Sequence, residues 1–388
     1  MRLLAAATIV LGLAAGSAAQ TPVPAPAPEA STAPPAPEAS TAAAPSAAPA
    51  ARGSARHRIE LFDPLYFLGL STNTRKFRNM STHDIVSAVL REGRVPFEFR
   101  TARDTPKRKY CSQYRETNLA FVLRLLEYEG IYYTVEPDGA LILADRSGAS
   151  PPVDGQQHYE LIDAAGAMDR DEIGIYELTK GAKVTPGAAT VNDFNWKRPN
   201  RPLRATSAEG EDADLEVYED ITGYRSPEQG ELFARLRREA RHAEARWVDG
   251  EGSAERFAPA RIFSFGAEGG EALAGEYLLT SVEHAVEQPG YDGGDEMPRL
   301  RYRNRFRAIP REVPFRPPLV TPRPTVQGCH TAMVRGPIGE EIHTDKHGRF
   351  RAQFHWDREA TGTDADSRWV RMLQEPSTSM QLARVGWE

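Results

Sequence analysis

Four carboxylates, Glu127, Glu129, Glu136 and Asp138, crowd into one short stretch, and a close carboxylate pair is what glycoside hydrolysis requires. Glu127 and Glu129 stand two apart on an expected helix, however, and so point in different directions. Glu136 and Asp138 fall at an expected hairpin turn, and all four are expected to be solvated. Further along, His343, Asp345 and His347 alternate, which on a strand would put three metal-ligating groups on one face. A turn beginning at Asp345 would carry His347 away, so no metal site is expected. His355-Trp356-Asp357-Arg358 offers acid–base groups, but no nucleophile or second carboxylate can be named beside them. Trp356 is expected to close a core, and Asp357 to pair with Arg358 in a strand-end contact worth at most about 1 kcal/mol. Arg299, Arg301, Arg303, Arg305 and Arg307 alternate along a strand and could meet nucleic acid. Their aromatic neighbours Tyr302 and Phe306 lie on the opposite face, so the arginines are expected to be solvated or paired between subunits. The Gly266, Gly269, Gly270 loop lacks the lysine and strand–loop–helix setting of a phosphate cradle. No catalytic, cofactor-binding or metal-binding residue is assigned.

The elements around these residues are legible from their periodicity. Ser81-Thr82-His83-Asp84 is a capping box, followed by Ile85, Val86, Val89 and Leu90 on one face and Gly93 as a stop. The cap also accounts for the formal glycosylation sequon at Asn79. A second helix starts at Thr117, carries Leu119, Val122, Leu125, Leu126 and Glu129 at helical spacing, and ends at Gly130. A third opens at Ser226-Pro227-Glu228, with Leu232, Phe233, Leu236, Ala240, Ala243 and Trp247 as its apolar stripe. Strands are expected over 96–100, 131–136, 141–144, 173–180, 189–195, 276–286 and 299–308. Near the end, 340–344 and 349–356 read as a hairpin around the Asp345-Lys346-His347-Gly348 turn, with a third run at 369–373. Phe350, Ala352, Phe354 and Trp356 share its apolar face. Strands interrupted by a few helices give an α+β fold, mostly β.

The chain has 388 residues, with 48 Lys+Arg against 54 Asp+Glu and a net charge of −6, so no overall basic field draws it to nucleic acid. Met1-Arg2, the apolar run Leu3–Ala15 and Ser17-Ala18-Ala19 make a signal-peptide-like segment over 1–19, too short for a bilayer span. Residues 20–57 are Pro/Ala-rich, repeat the same heptapeptide at 27–33 and 36–42, and are expected to form a disordered tether. Residues 1–57 are therefore expected to pack against nothing. Cys111 and Cys329 are expected to be two buried, unbridged thiols. Arg316-Pro317-Pro318 and Thr321-Pro322-Arg323-Pro324 read as a stiff connector.

The segment at 331–358, TAMVRGPIGEEIHTDKHGRFRAQFHWDR, closely resembles the small oligonucleotide/oligosaccharide-binding-type barrel of the VgrG family, the tip proteins of type VI secretion systems. That family is in turn similar to the hub and spike of contractile phage tails. Residues 110–133 resemble its hub signature, and 306–310 with 313–318 its join between hub and barrel. The resemblance implies a tail-hub-like region over 58–318, with only 58–70 left of its first barrel, and an incomplete barrel over 319–388 without closing strand or β-helical spike. It also implies a non-catalytic role, the hub that links tube to spike and delivers effectors. The implied partners are two further copies of the chain, the tube protein, spike-tip and effector proteins and the target-cell envelope, with no cofactor. Members are loaded from the cytoplasm without an export signal, so residues 1–19 depart from the pattern and suggest periplasmic or extracellular export. The alternatives are an exported envelope-binding module and a wall-degrading hydrolase, which would need a further domain.

Overall fold

The computed structural model describes residues 6–12, 62–162, 173–210, 212–220, 223–266, 271–287, 301–340, 343–360, 367–373 and 382–384. The first packed unit is built on helix α2 (Thr82–Glu92) and helix α3 (Asn118–Glu129). Ser81 and Asp84 cap α2 reciprocally, at 3.1 and 3.0 Å. Thr117 caps α3, whose last turn stops at Gly130 in the left-handed region at φ 68°. A Cβ at Gly130 would also lie 2.8 Å from Leu236, so both backbone and packing require glycine there. The two helices bury Ile85, Val89, Phe121, Leu125 and Leu126 against a small sheet of β3 (Phe97–Arg100), β5 (Tyr132–Val135) and β6 (Leu141–Ala144). Beside them β2 (Thr72–Phe77) pairs antiparallel with β4 (Cys111–Thr117). Residues 66–69 form a short helix, α1 (Tyr66–Gly69).

The largest sheet runs β7-β13-β14-β15-β12-β8. Its members are β7 (His158–Tyr159), β8 (Ile175–Ala182), β12 (Arg246–Gly252), β13 (Ile262–Phe265), β14 (Gly275–Glu287) and β15 (Arg301–Pro310). Leu161, just past β7, bridges Ile175 at the start of β8, so the two ends of the sheet meet. Its interior is aromatic: Phe257, Phe263, Tyr277 and Phe306 pack with centroids 4.9–5.7 Å apart. β1 (Ala6–Gly12) lies antiparallel to β14 along Ser281–Glu287. That corrects the expectation that residues 1–57 pack against nothing. β13 covers only Gly275–Leu278 of that edge, and the Thr8-Ile9-Val10 run is suited to the remaining row of donors and acceptors.

Between β8 and β12 the chain makes a small sheet, β9 (Ala188–Asn192) with β10 (Ala205–Ala208) antiparallel and β11 (Glu216–Asp220) parallel to it. Helix α4 (Pro227–His242), capped by Ser226, packs Phe233, Ala234 and Leu236 against it. Trp247, expected on that helix, is in β12 instead. The helix stops at His242, and Trp247 keeps helical i+4 spacing from Ala243 although the chain has already turned into a strand. The last sheet is β16 (Ala332–Arg335), β17 (Phe350–Phe354), β18 (Arg368–Leu373) and β19 (Leu382–Arg384). Ala352 and Phe354 are buried as expected, and Gly348 takes φ 67° in the turn. The main partner of β17 is β16, not 340–344. Of that expected arm the described residues keep one bridge, Thr344 to Phe350.

Candidate functional site

Helix α3 is apolar nearly all round: Phe121, Val122, Leu123, Leu125, Leu126 and Tyr128 are all buried. Glu127 and Glu129 are therefore buried too, at 3 % and 1 % exposure, and not solvated as expected. A buried carboxylate needs partners, and each has found its own. Glu129 accepts from Arg108 at 2.9 Å, from Arg103 at 3.1 Å and from Thr82 at 3.2 Å, tying the 101–108 loop and α2 to the end of α3. Glu127 faces the other way and holds the connector. Its carboxylate accepts from the N–H of Val320 at 3.1 Å, the N–H of Thr321 at 2.9 Å and the Thr321 hydroxyl at 2.6 Å. Desolvation raises its pKa above the ordinary glutamate range, against the lowering effect of those hydrogen bonds.

The rest of the connector is held by groups gathered around the end of α3. Arg316 donates to Glu239 at 2.7 Å and to the carbonyls of Gly130 and Asp145, and the Phe315 N–H donates to Ser147 at 2.8 Å. Three guanidiniums, Arg108, Arg323 and Arg237, lie 4.7, 5.2 and 5.5 Å from the Tyr128 ring centre. Burial pushes the Tyr128 hydroxyl up to about 12, and burial among these like charges lowers Arg323. A stiff, proline-rich segment thus leaves the first unit along a fixed line.

A second clamp lies where β17 ends. Asp357, expected to pair with Arg358, pairs instead with Lys76 of β2, the two side chains 2 % and 9 % exposed. Trp356 stacks on Phe354 at 5.2 Å and meets Tyr114 of β4 edge-on at 5.9 Å. It therefore packs between the C-terminal sheet and the first unit and does not close a core of the sheet alone. Arg368 over Tyr110 at 4.6 Å and Tyr114 with His330 at 3.3 Å extend the seam. Connector and clamp together fix the C-terminal sheet on α3, β2 and β4.

The other sequence candidates are dispersed. His343 bonds Glu340 at 2.8 Å, Asp345 takes the backbone N–H groups of His347 and Arg349, and the His347 ring lies edge-on to Trp196 at 4.9 Å. Desolvation works upward on Asp345, but the side-chain and backbone donors of Arg349 and the His347 N–H hold it well below the usual carboxylate range. Arg303, Arg305 and Arg307 of the arginine stripe are solvent-exposed, as expected, and are paired within the chain. Arg307 meets Asp249 at 2.7 Å and Arg305 meets Glu251 at 3.1 Å, across strands β15 and β12. These residues border a shallow hollow over Gly250, where a Cβ would come within 2.3 Å of Phe306. Arg299 lies outside the described residues, as do Gly269 and Gly270. Glu136 pairs with Arg261 at 2.6 Å, and Asp138 accepts from the Ala140 N–H. Cys111 is buried, but Cys329 is exposed, against expectation.

This arrangement of a helix-capped unit, a barrel-like sheet and a tightly docked C-terminal sheet has counterparts among known proteins. The model of the phage tail baseplate hub (GPD) matches residues 40–290. The chain belongs to that family. Among relatives, the type VI secretion system spike protein VgrG1b of Pseudomonas aeruginosa is 32% identical over 347 residues, covering 86% of this chain and 46% of that protein. Spike protein VgrG1a of the same organism is 32% identical over 335 residues, covering 83% and 52%. The actin cross-linking toxin VgrG1 of Vibrio cholerae is 27% identical over 347 residues, covering 86% and 31%. The chain spans about half the length of the first curated relatives it matches. The resemblance read from the sequence is borne out, and the fold agrees with a solved structure. The E. coli c3393 protein, a type VI secretion component similar to T4 tail proteins gp27 and gp5, superposes with a TM-score of 0.53 at 20% identity, covering 81% and 74%.

The two buried glutamates are what sequence reasoning missed in this hub. Glu129 already stood within the apolar stripe at helical spacing, and a carboxylate in such a stripe signals a buried ion pair. Nothing local pointed to Lys76 and Asp357, which are 281 residues apart.

Proposed function

We propose that this chain is a structural, non-catalytic hub of a type VI-like contractile injection apparatus, joining the tube to the base of the spike. The observation that carries this reading is the double fixation of the C-terminal sheet, by Glu127 on the connector and by Asp357 on Lys76. A part that transmits thrust from a tube to a tip needs a joint that does not yield, and a buried clamp with a docked proline-rich connector supplies one. We read the C-terminal sheet as the base of an oligonucleotide/oligosaccharide-binding-type barrel. The hub is read as a trimer around one axis, with the tube protein on one side and spike-tip or effector proteins on the other. The chain reaches the target-cell envelope through the apparatus. No nucleic acid takes part. Mixing the full chain with the tube protein of the same apparatus and imaging the complex tests this reading. The expected result is three copies of the chain capping the end of a tube ring. A chain that stays single and binds no tube protein would overturn it in favour of an exported envelope-binding module.

A further inference from the structure

Trp196, in the loop between β9 and β10, is wrapped in positive charge. Arg371, Arg349 and Lys197 lie 4.6, 5.3 and 5.4 Å from its ring centre. Arg349 and Arg351 also lie 5.6 and 5.4 Å from Trp369 on β18. Stacking fixes a guanidinium by its face, and the fork of Arg349 is held by Asp345, so the outward charge of this face lies mainly on the exposed arginines of the loop. The loop adds Arg198, Arg201 and Arg204, all exposed, and holds no acidic residue from Asn195 to Arg204. Asp345 is engaged with Arg349, and Asp193 accepts from the N–H groups of Gly223 and Tyr224. On a chain with a net charge of −6, this face is locally opposite in sign to the whole.

The complementary charge sits on the same small sheet, at its other end. The turn from β10 to β11 carries Glu209, Asp212, Asp214 and Glu216, exposed and with no basic residue among them. Glu209 is paired with Arg238 at 2.5 Å and Glu216 bonds Thr190, which among the described residues leaves Asp212 and Asp214 as outer charges of the turn. Register places the two features apart. Ala208 and Glu216 both pair with Ala188 at one end of the sheet, whereas the Trp196 loop follows Asn192 and precedes Ala205 at the other. Helix α4 gives the distance. Tyr224, just before it, is held by Asp193 at the basic end, and Arg238 reaches Ser207 at the acidic end, about 16 Å away by helical rise. The two cannot meet within one chain.

We propose that the Trp196 face receives the acidic 209–216 turn of a second copy of this chain. Each joint uses the basic face of one copy and the acidic turn of the next, a heterologous contact that closes into a ring when the rotation allows. The inference rests on the trimeric reading only for the number of copies and supplies the surfaces that join them.

Sedimentation velocity of the full chain is the test, with two variants and their combination. Lys197→Glu/Arg198→Glu/Arg201→Glu reverses the basic face, and Asp212→Lys/Asp214→Lys reverses the turn. Wild-type association should weaken as salt rises from about 50 to about 500 mM. Each reversal should weaken it by about a hundredfold, from about two or three lost pairs and the repulsion that replaces them. The chain carrying both reversals should regain association. An equimolar mixture of the two single-face variants should associate more strongly than either variant alone, because each face then meets a turn of opposite charge on the other variant. Unchanged circular dichroism and melting identify a loss of contact rather than of fold. Variants that associate like wild type, or a double reversal that stays dissociated while folded, would overturn the joint and leave the trimeric reading standing. A wild-type chain that is single throughout would overturn both. Loss of binding to phosphatidylcholine vesicles with about one-quarter phosphatidylglycerol, with association intact, would assign the face to lipid instead.

Discussion

Replacing Glu127 by Ala removes the acceptor of three connector hydrogen bonds, at 3.1, 2.9 and 2.6 Å. Bonds to a charged acceptor contribute about 1.5–3 kcal/mol each when the surroundings are dry. Here two discounts apply. Ionised Glu127 already carries a desolvation cost, seen in its raised pKa, and Val320 is 48% exposed, so water can replace part of what is lost. A net local loss of about 2 kcal/mol is the reasoned value, not the sum of three full bonds. At about 1.4 kcal/mol per tenfold, that makes amide exchange at Val320 and Thr321 about thirtyfold faster. Hydrogen exchange read by mass spectrometry on peptides spanning 316–324 measures it. Exchange in α2 should stay unchanged, because its partners belong to Glu129. Glu127→Gln keeps an acceptor and should show a much smaller effect. Unaltered exchange at 320–321 in Glu127→Ala would refute the idea that this carboxylate holds the connector.

The remaining predictions concern the clamp, the helix stop and acid. Lys76→Met strands a buried carboxylate on Asp357 and should cost about 3–5 kcal/mol in denaturant unfolding, whereas Lys76→Met with Asp357→Leu should recover most of it. Gly130→Ala forces an αL backbone and a contact with Leu236, and a loss of about 1–2 kcal/mol should appear as a lower melting temperature. Glu127 has a folded pKa above its unfolded value, so the folded state binds more protons in the window between them. Its own contribution to stability therefore falls as pH rises from about 4.5 through the raised pKa and is constant above it. The stability of wild type relative to Glu127→Gln should decline over that window, and a rise would contradict burial as the cause.

Local signals were enough for much of this protein. The capping box at Ser81, the Thr117 start and Gly130 stop of α3, and the alternation of Phe350, Ala352 and Phe354 are set by contacts within a few residues, so the sequence alone determines them. The family was legible for the same reason, since motifs such as residues 110–133 and 331–358 are contiguous. Strands β2, β4, β12 and β16 were not legible, because charged or small residues such as Arg75, Lys76 and Gly250 dilute the alternation and only sheet neighbours decide them. The site was read worst. Glu127 and Glu129 looked solvated because partners drawn from residues 82, 103, 108, 320 and 321 are invisible along the chain. Asp357 looked bound to its neighbour Arg358, and only the packing of β17 against β2 brought Lys76 to it. Helix capping and turn geometry act over about one turn of chain and are written there, whereas the burial of a charge depends on which distant partner the fold delivers.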